Sequence, residues 1–323
     1  PQPGLNEALV RVLRVGICGT DLHAYEGKQP FFSYPRILGH ELAVEIVALG
    51  PSDQDTGLAV GDRCAVEPYL NCGHCLACKR GRANCCVNMR VLGVHQDGGM
   101  CEWIIVPADK LHKAEGVPLE SLAIVEMFSI GAHAVRRANL QAGENVLVIG
   151  AGPIGMGTMQ FAQVMGANVI AMDVNPDRLA FSQEHLRIAG TVDARQDVEP
   201  QLRALLDGDL PTTVFDVTGS QKSMSSAFHY VAHSGQLTYV GLVQGDITFH
   251  DPLFHSREMT LLASRNATSN DFAWVIENMR SGRIDASAWI TNRASPEELT
   301  EQFASWLLPA TGVIKAMLTF EPA

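Results

Sequence analysis

The chain has 323 residues, too long for one ordinary hydrophobic core, so two domains are expected. Apolar content of 46% and charged content of 18% describe a soluble globular protein, and a net charge of −11 argues against nucleic acid or an anionic membrane surface as partner. No apolar run reaches the length of a membrane span and no signal peptide is visible, although a start at Pro1 leaves room for a lost leader. Five of the eight cysteines fall between Cys72 and Cys86, which is metal spacing rather than a disulfide framework. A reducing cytoplasm is therefore the expected location.

Residues 7–16 alternate apolar and polar side chains and predict a half-buried strand. Cys18, Thr20 and His23 follow, then prolines and an aromatic cluster, then Gly39-His40-Glu41 opening a second strand through Leu49. Short strands and glycine-rich turns continue to about Pro107, so the first third reads as β-rich. From Pro118 the apolar spacing becomes helical, predicting a helix over 119–138. Beyond Asn145 strands (145–150, 168–173, 213–217, 236–242, 260–264) alternate with helices (154–165, 177–188, 221–232). That alternation predicts a doubly wound parallel sheet, and the fold class is α/β. Helices over 272–280 and 296–306 and a strand over 314–320 complete the chain and are expected to return to the first domain.

The run Gly150-Ala151-Gly152-Pro153-Ile154-Gly155 leaves a buried apolar strand and opens a helix, and Asp173 ends the next apolar run. In that context the glycines have separate jobs. Gly150 turns the chain, Gly152 lets the backbone approach a pyrophosphate, and Gly155 lets helix and strand pack closely. The helix N-terminus offers free N–H groups to the anion. Asp173 can accept from the ribose hydroxyls and would repel a 2′-phosphate, and Val174 and Asn175 after it supply no cation to offset that. NAD is expected over NADP.

Cys72, Cys75 and Cys78 are spaced two apart and Cys86 follows seven residues on, the arrangement of a closed, four-thiolate structural zinc site. Cys85, adjacent to Cys86, is taken as a bystander. Cys18, His40, Glu41 and Glu126 form a looser set, in which a thiolate, an imidazole and a carboxylate would leave one coordination position open, as at catalytic zinc. Spacing alone supports this set weakly, because a cysteine after a strand is usually core.

Gly16-Ile17-Cys18-Gly19-Thr20-Asp21-Leu22-His23, Gly39-His40-Glu41, the four-cysteine lobe and Gly150–Gly155 occur in this order along the whole chain, which thereby resembles the zinc-dependent medium-chain dehydrogenases. The resemblance implies a GroES-like β domain carrying two zinc ions (1–125), a Rossmann NAD domain (126–267), and a return to the first domain (268–323). It also implies hydride transfer between a secondary alcohol and NAD in the cleft between domains. With Glu rather than Cys at position 126 the chain resembles the polyol and threonine dehydrogenase side, and the third protein ligand of the catalytic zinc is left between Glu41 and Glu126. Relatives carry further residues ahead of the position of Pro1. The stretches Gln29-Pro30-Phe31-Phe32-Ser33-Tyr34-Pro35-Arg36, Gly93–Gly99 and Ser264-Arg265-Asn266-Ala267-Thr268 are similar to bacterial sugar-acid enzymes, the L-galactonate and L-gulonate 5-dehydrogenases.

The resemblance implies that Thr20 takes the substrate hydroxyl proton and passes it to His23. It implies that Arg178 contacts the adenosine ribose, that Val240-Gly241-Leu242 cradles the nicotinamide amide, and that Thr218 and Arg265 also face the cofactor. Arg265, with Asn266, could instead hold a substrate carboxylate. A homo-oligomer, dimer or tetramer, acting on a small molecule is expected. Two function classes follow: a zinc- and NAD-dependent dehydrogenase of a sugar acid, with neutral polyols or L-threonine as alternatives, and a non-catalytic protein that keeps the fold. Loss of Cys18 or His40 would point to the second, and both are present.

Overall fold

The computed structural model describes residues 1–28, 32–53, 55–308 and 311–320. The chain divides into two compact units, 1–129 with 266–323, and 130–265.

In the first unit, β1 (Glu7–Ile17) leads into the short helix α1 (Gly19–Tyr25), and β2 (Glu41–Leu49), β3 (Arg63–Val66) and β4 (Tyr69–Leu70) follow. The cysteine lobe holds α2 (Leu76–Lys79), and β5 (Arg90–Val91), β6 (Trp103–Pro107) and β7 (Leu111–Lys113) complete the β-rich part. β1 is long enough to serve three neighbours. It pairs antiparallel with β2 along most of its length, with β6 over residues 7–11, and with the last strand of the chain over 14–17. Its alternation buries Ala8, Val10, Val12 and Val15 in one core with Leu42, Val44, Ile46 and Leu318. Burying each such branched side chain is worth roughly 1.5–3 kcal/mol before entropy is counted.

The helical spacing from Leu119 is interrupted. α3 (Leu119–Ala123) and α4 (Val125–Arg137) are separated at buried Ile124, whose φ −95° and ψ 11° leave the α region. The break begins a new helix at Val125, placing Glu126 in its first turn, where the helix dipole favours an acid.

In the second unit β8 (Asn145–Ile149), α5 (Pro153–Val164), β9 (Asn168–Asp173), α6 (Pro176–His185), β10 (Gly190–Asp193), α7 (Val198–Leu205), β11 (Thr213–Asp216), α8 (Gln221–Ser226), β12 (Gln236–Tyr239), α9 (Asp251–Ser256) and β13 (Thr260–Ala263) alternate. The six strands are all parallel in the order β10-β9-β8-β11-β12-β13. After Asn145, β8 is a run of buried apolar residues because a central parallel strand is covered on both faces. The second unit differs from the sequence reading in three ways: the short β10, α7 and α9 are additions to it, the segment 221–232 is α8 followed by a tighter 3₁₀ turn, Ala227–Tyr230, and residues 240–242 leave the sheet.

α10 (Ser269–Arg280), β14 (Ile290–Ala294), α11 (Leu299–Trp306) and β15 (Lys315–Thr319) rejoin the first unit, with β15 seated between β14 and β1. β14 is an addition to the sequence reading, since its Thr, Asn and Arg hide the alternation.

Candidate active site

Cys18 is the N-cap of α1, and its backbone N–H donates to Asp21 Oδ2 at 2.9 Å. His40 and Glu41 arrive at the start of β2, where Glu41 stands opposite Gly16. A Cβ at Gly16 would lie 2.2 Å from Glu41 Oε2, so only glycine there lets the carboxylate lie across β1. The ligand atoms of Cys18, His40 and Glu41 all lie within 4.8 Å of one another. His40 Nδ1 is buried without a hydrogen-bond partner, 3.7 Å from Asp21 Oδ1. Burial opposes charge on His40, but Asp21 and Cys18 outweigh it and raise the imidazole well above its usual range. Three donors of S, N and O character gathered in a buried site are a set that fits zinc with a position left open.

Two carboxylates serve this neighbourhood. Glu41 belongs to the group of three and is gripped by Lys315, whose Nζ donates to both carboxylate oxygens at 2.7 and 2.9 Å and to the Ile17 carbonyl at 3.1 Å. Burial opposes the lysine's charge, and Glu41 outweighs it, raising the ammonium above its usual value. Glu126 lies outside the 4.8 Å group, and its Oε1 accepts from the Tyr69 hydroxyl. Burial raises the Glu126 carboxyl, while His40 opposes that rise. Sequence reasoning missed Asp21, Tyr69 and Lys315. Asp21 has a signal, an acid three residues after a helix N-cap, and so does Lys315, a lone charge inside the apolar run from Val313 to Leu318.

Cys72, Cys75, Cys78 and Cys86 also lie with their sulfurs within 4.8 Å of one another. The Cys72 N–H donates to Cys86 Sγ at 3.2 Å, and Asn71 Nδ2 to Cys78 Sγ at 3.7 Å. The backbone N–H groups of His74 and Cys75 draw the Cys72 thiol down to about 6, toward the thiolate a metal needs. Cys85 is exposed and takes no part. The cluster fits a structural zinc.

Thr20 and His23 lie three apart on α1 and so share a face, Thr20 half-buried and His23 exposed. In the aromatic stretch before β2, Arg36 pairs with Asp97 at 3.1 Å, joining two segments that drew the sugar-acid resemblance. Gln29, Pro30 and Phe31 lie outside the described residues.

On the nucleotide side, Gly150 has φ +103°, and a Cβ at Gly155 would lie 1.7 Å from the Gly150 carbonyl. Gly152 is the N-cap of α5, with Pro153 and Ile154 in its first turn. Asp173 ends β9; its Oδ2 accepts from Ala151 N at 2.6 Å and its Oδ1 from Asn175 N at 2.8 Å, so the acid braces the glycine turn. Arg178 lies over that turn, its Nη1 3.7 Å from where a Gly152 Cβ would be. Thr218 donates to Asp216 at 2.7 Å after β11, and Val240, Gly241 and exposed Leu242 follow β12. Arg265 is exposed beyond β13. The glycine turn, Asp173, Arg178 and the loops after β11 and β12 gather at the C-terminal ends of the strands, where such sheets bind nucleotides.

A GroES-like unit with a closed and an open metal cluster, joined in one chain to a dinucleotide-type sheet, defines a zinc- and NAD-dependent alcohol oxidoreductase. Residues 4–116 match the family model for the alcohol dehydrogenase GroES-like domain, and residues 153–281 that for zinc-binding dehydrogenase. The chain is 44% identical over 320 residues to L-galactonate-5-dehydrogenase of Escherichia coli (strain K12), covering 99% of this chain and 94% of that protein. It is 32% identical to sorbitol dehydrogenase of Bacillus subtilis (strain 168), covering 98% and 92%. Among solved structures, galactitol-1-phosphate dehydrogenase from Escherichia coli superposes with a TM-score of 0.89 at 26% identity, covering 98% and 93%. An alcohol dehydrogenase (rspB) from E. coli CFT073, complexed with NADH, superposes with a TM-score of 0.91 at 30% identity, covering 99% and 94%. The chain belongs to the zinc-type medium-chain alcohol dehydrogenase family.

Proposed function

We propose that the protein oxidises a secondary hydroxyl of a sugar acid of the L-galactonate or L-gulonate type to a keto acid, with NAD as hydride acceptor. The observation that carries this reading is the 44% identity to L-galactonate-5-dehydrogenase over 99% of the chain. Cys18, His40 and one carboxylate, Glu41 or Glu126, would hold the catalytic zinc, which when bound stabilises the charge a hydroxyl develops on losing its proton. Thr20 takes that proton and His23 delivers it to solvent, a role its exposure on the Thr20 face of α1 supports. Gly150, Gly152, Pro153, Ile154 and Gly155 cradle the NAD pyrophosphate, Asp173 and Arg178 the adenosine ribose, and Thr218 with Val240, Gly241 and Leu242 the nicotinamide half.

An aldonate carboxylate needs a cation or several donors in a partly desolvated site. The segment from Ser264 to Asn266 supports this need. Ser264 Oγ and Asn266 Nδ2 are buried without hydrogen-bond partners, and Arg265 between them is exposed. The same reading carries a homo-oligomer, dimer or tetramer, in the cytoplasm, which light scattering on the purified protein checks for the assembly. The deciding experiment compares kcat/KM for L-galactonate, L-gulonate, sorbitol and L-threonine with NAD. An aldonate is expected to lead, and a more than tenfold preference for sorbitol or L-threonine would overturn the substrate assignment.

A further inference from the structure

Tyr69 is a buried polar side chain beside the open metal cluster to which the chemistry above gives no work. It sits on β4, 4% exposed, and its hydroxyl donates to Glu126 Oε1. Its ring is held from behind. It meets the buried Phe272 edge-on, with centroids 6.3 Å apart, and Phe272 stacks on His112 at 4.9 Å. His112 Nε2 lies 3.1 Å from Glu67 Oε2, and Glu67 also accepts from Lys110 at 2.7 Å and Ser269 at 2.7 Å. The tyrosine therefore has little freedom to follow Glu126; the carboxylate must come to it.

The two carboxylates near Cys18 and His40 are held in opposite ways. Lys315 gives Glu41 two hydrogen bonds together with a full positive charge. Tyr69 gives Glu126 a hydrogen bond and no charge, to one oxygen only. A carboxylate offset by an ammonium has less charge left for a metal cation than one oriented by a neutral donor. A buried tyrosine merely satisfying its hydroxyl would serve as well with a backbone carbonyl; here the acceptor is an acid beside a metal cluster.

We propose that Tyr69 is a positioning residue: by fixing Glu126 Oε1 it presents the second carboxylate oxygen to the Cys18–His40 site, while Lys315 restrains Glu41. This rests on the zinc-dehydrogenase reading, but not on which alcohol is oxidised. The test uses the full-length protein with the open site stripped by mild chelation and reloaded with zinc or cobalt. Tyr69→Phe keeps the ring against Phe272 and removes the donor to Glu126, and Glu126→Gln keeps an acceptor for Tyr69 but removes the carboxylate charge. Tyr69→Phe is expected to weaken zinc binding at that site about 10- to 100-fold, the usual effect of an outer partner on a ligand, and Glu126→Gln at least as much. The cobalt absorption bands should shift, and kcat should fall with KM for NAD unchanged. The double variant should lose no more than Glu126→Gln alone, because Tyr69 acts only through Glu126. A wild-type cobalt spectrum and zinc affinity in Tyr69→Phe, or losses that add in the double variant, would overturn the proposal. Metal affinity and spectrum are read without substrate, so inactivity on aldonates removes the substrate assignment and leaves this test intact.

Discussion

Lys315 and Glu41, 3% and 1% exposed, form a buried ion pair in which one ammonium nitrogen reaches both carboxylate oxygens, at 2.7 and 2.9 Å. The pair joins β15 to the first residue of β2, and its carboxylate belongs to the open metal cluster. Desolvating two charges is costly, so such a pair contributes little net stability by itself, yet removing one partner strands the other. Lys315→Met is expected to destabilise the metal-free protein by about 3–5 kcal/mol. The loss should be smaller with zinc bound, because the metal takes over part of the Glu41 charge. Urea unfolding with and without zinc measures both values, and an equal loss in the two states would detach Glu41 from the metal site.

Two zinc ions per chain are expected from elemental analysis of the freshly purified protein. The four-thiolate cluster offers a closed shell and the Cys18–His40 site an open one, so a chelator should remove one zinc quickly, with loss of activity, and the second slowly. Cys75→Ser should leave one zinc and lower the melting temperature. A single slow-exchanging zinc in the wild-type protein would contradict the two-site assignment.

Glu67 supplies a pH dependence whose sign can be worked out. Burial opposes its charge, but His112 and Lys110 outweigh it and hold the carboxyl below its ordinary value of 4.5. A depressed carboxylate contributes stability that is present above the unfolded value and is lost as pH falls through the folded one. Glu67→Gln, which strands Lys110, should therefore cost about 3–5 kcal/mol at neutral pH. The gap between variant and wild type should narrow once the pH drops below the ordinary carboxylate value. Urea midpoints for both proteins at neutral and acid pH check this, and a constant gap would place the ionised carboxylate outside the network.

Asp173→Ala should raise the KM for NAD and narrow the preference for NAD over NADP. Opposed like charges cost several kcal/mol, so removing the carboxylate should shift the ratio by about tenfold or more. Asp173 also braces Ala151 N, so Asp173→Asn, which keeps an acceptor, separates the charge effect from loosening of the turn. NADPH and NADH binding titrations followed by fluorescence read the ratio directly. Equal or better turnover with NADP in the wild type would show that Asp173 does not face the ribose.

What the sequence alone determined are the two constellations whose parts lie close along the chain. The four cysteines fall on one short lobe, and the glycine turn with Asp173 on one strand-helix-strand unit, so spacing carries the chemistry directly. The alternation of β1 and the apolar run of β8 likewise report how many faces of each strand are covered. The tertiary structure decided what depends on distant partners. Lys315 stands 274 residues from Glu41, and Tyr69 stands 57 from Glu126. No local pattern says which acid a lone strand lysine or a tyrosine will meet. β14 escaped because its polar residues mask its period, and the break at Ile124 because helical spacing runs on through it. For Lys315 and Tyr69 the deciding energy is burial against residues far along the chain, which desolvates a charge or hydroxyl and obliges it to find a partner within reach.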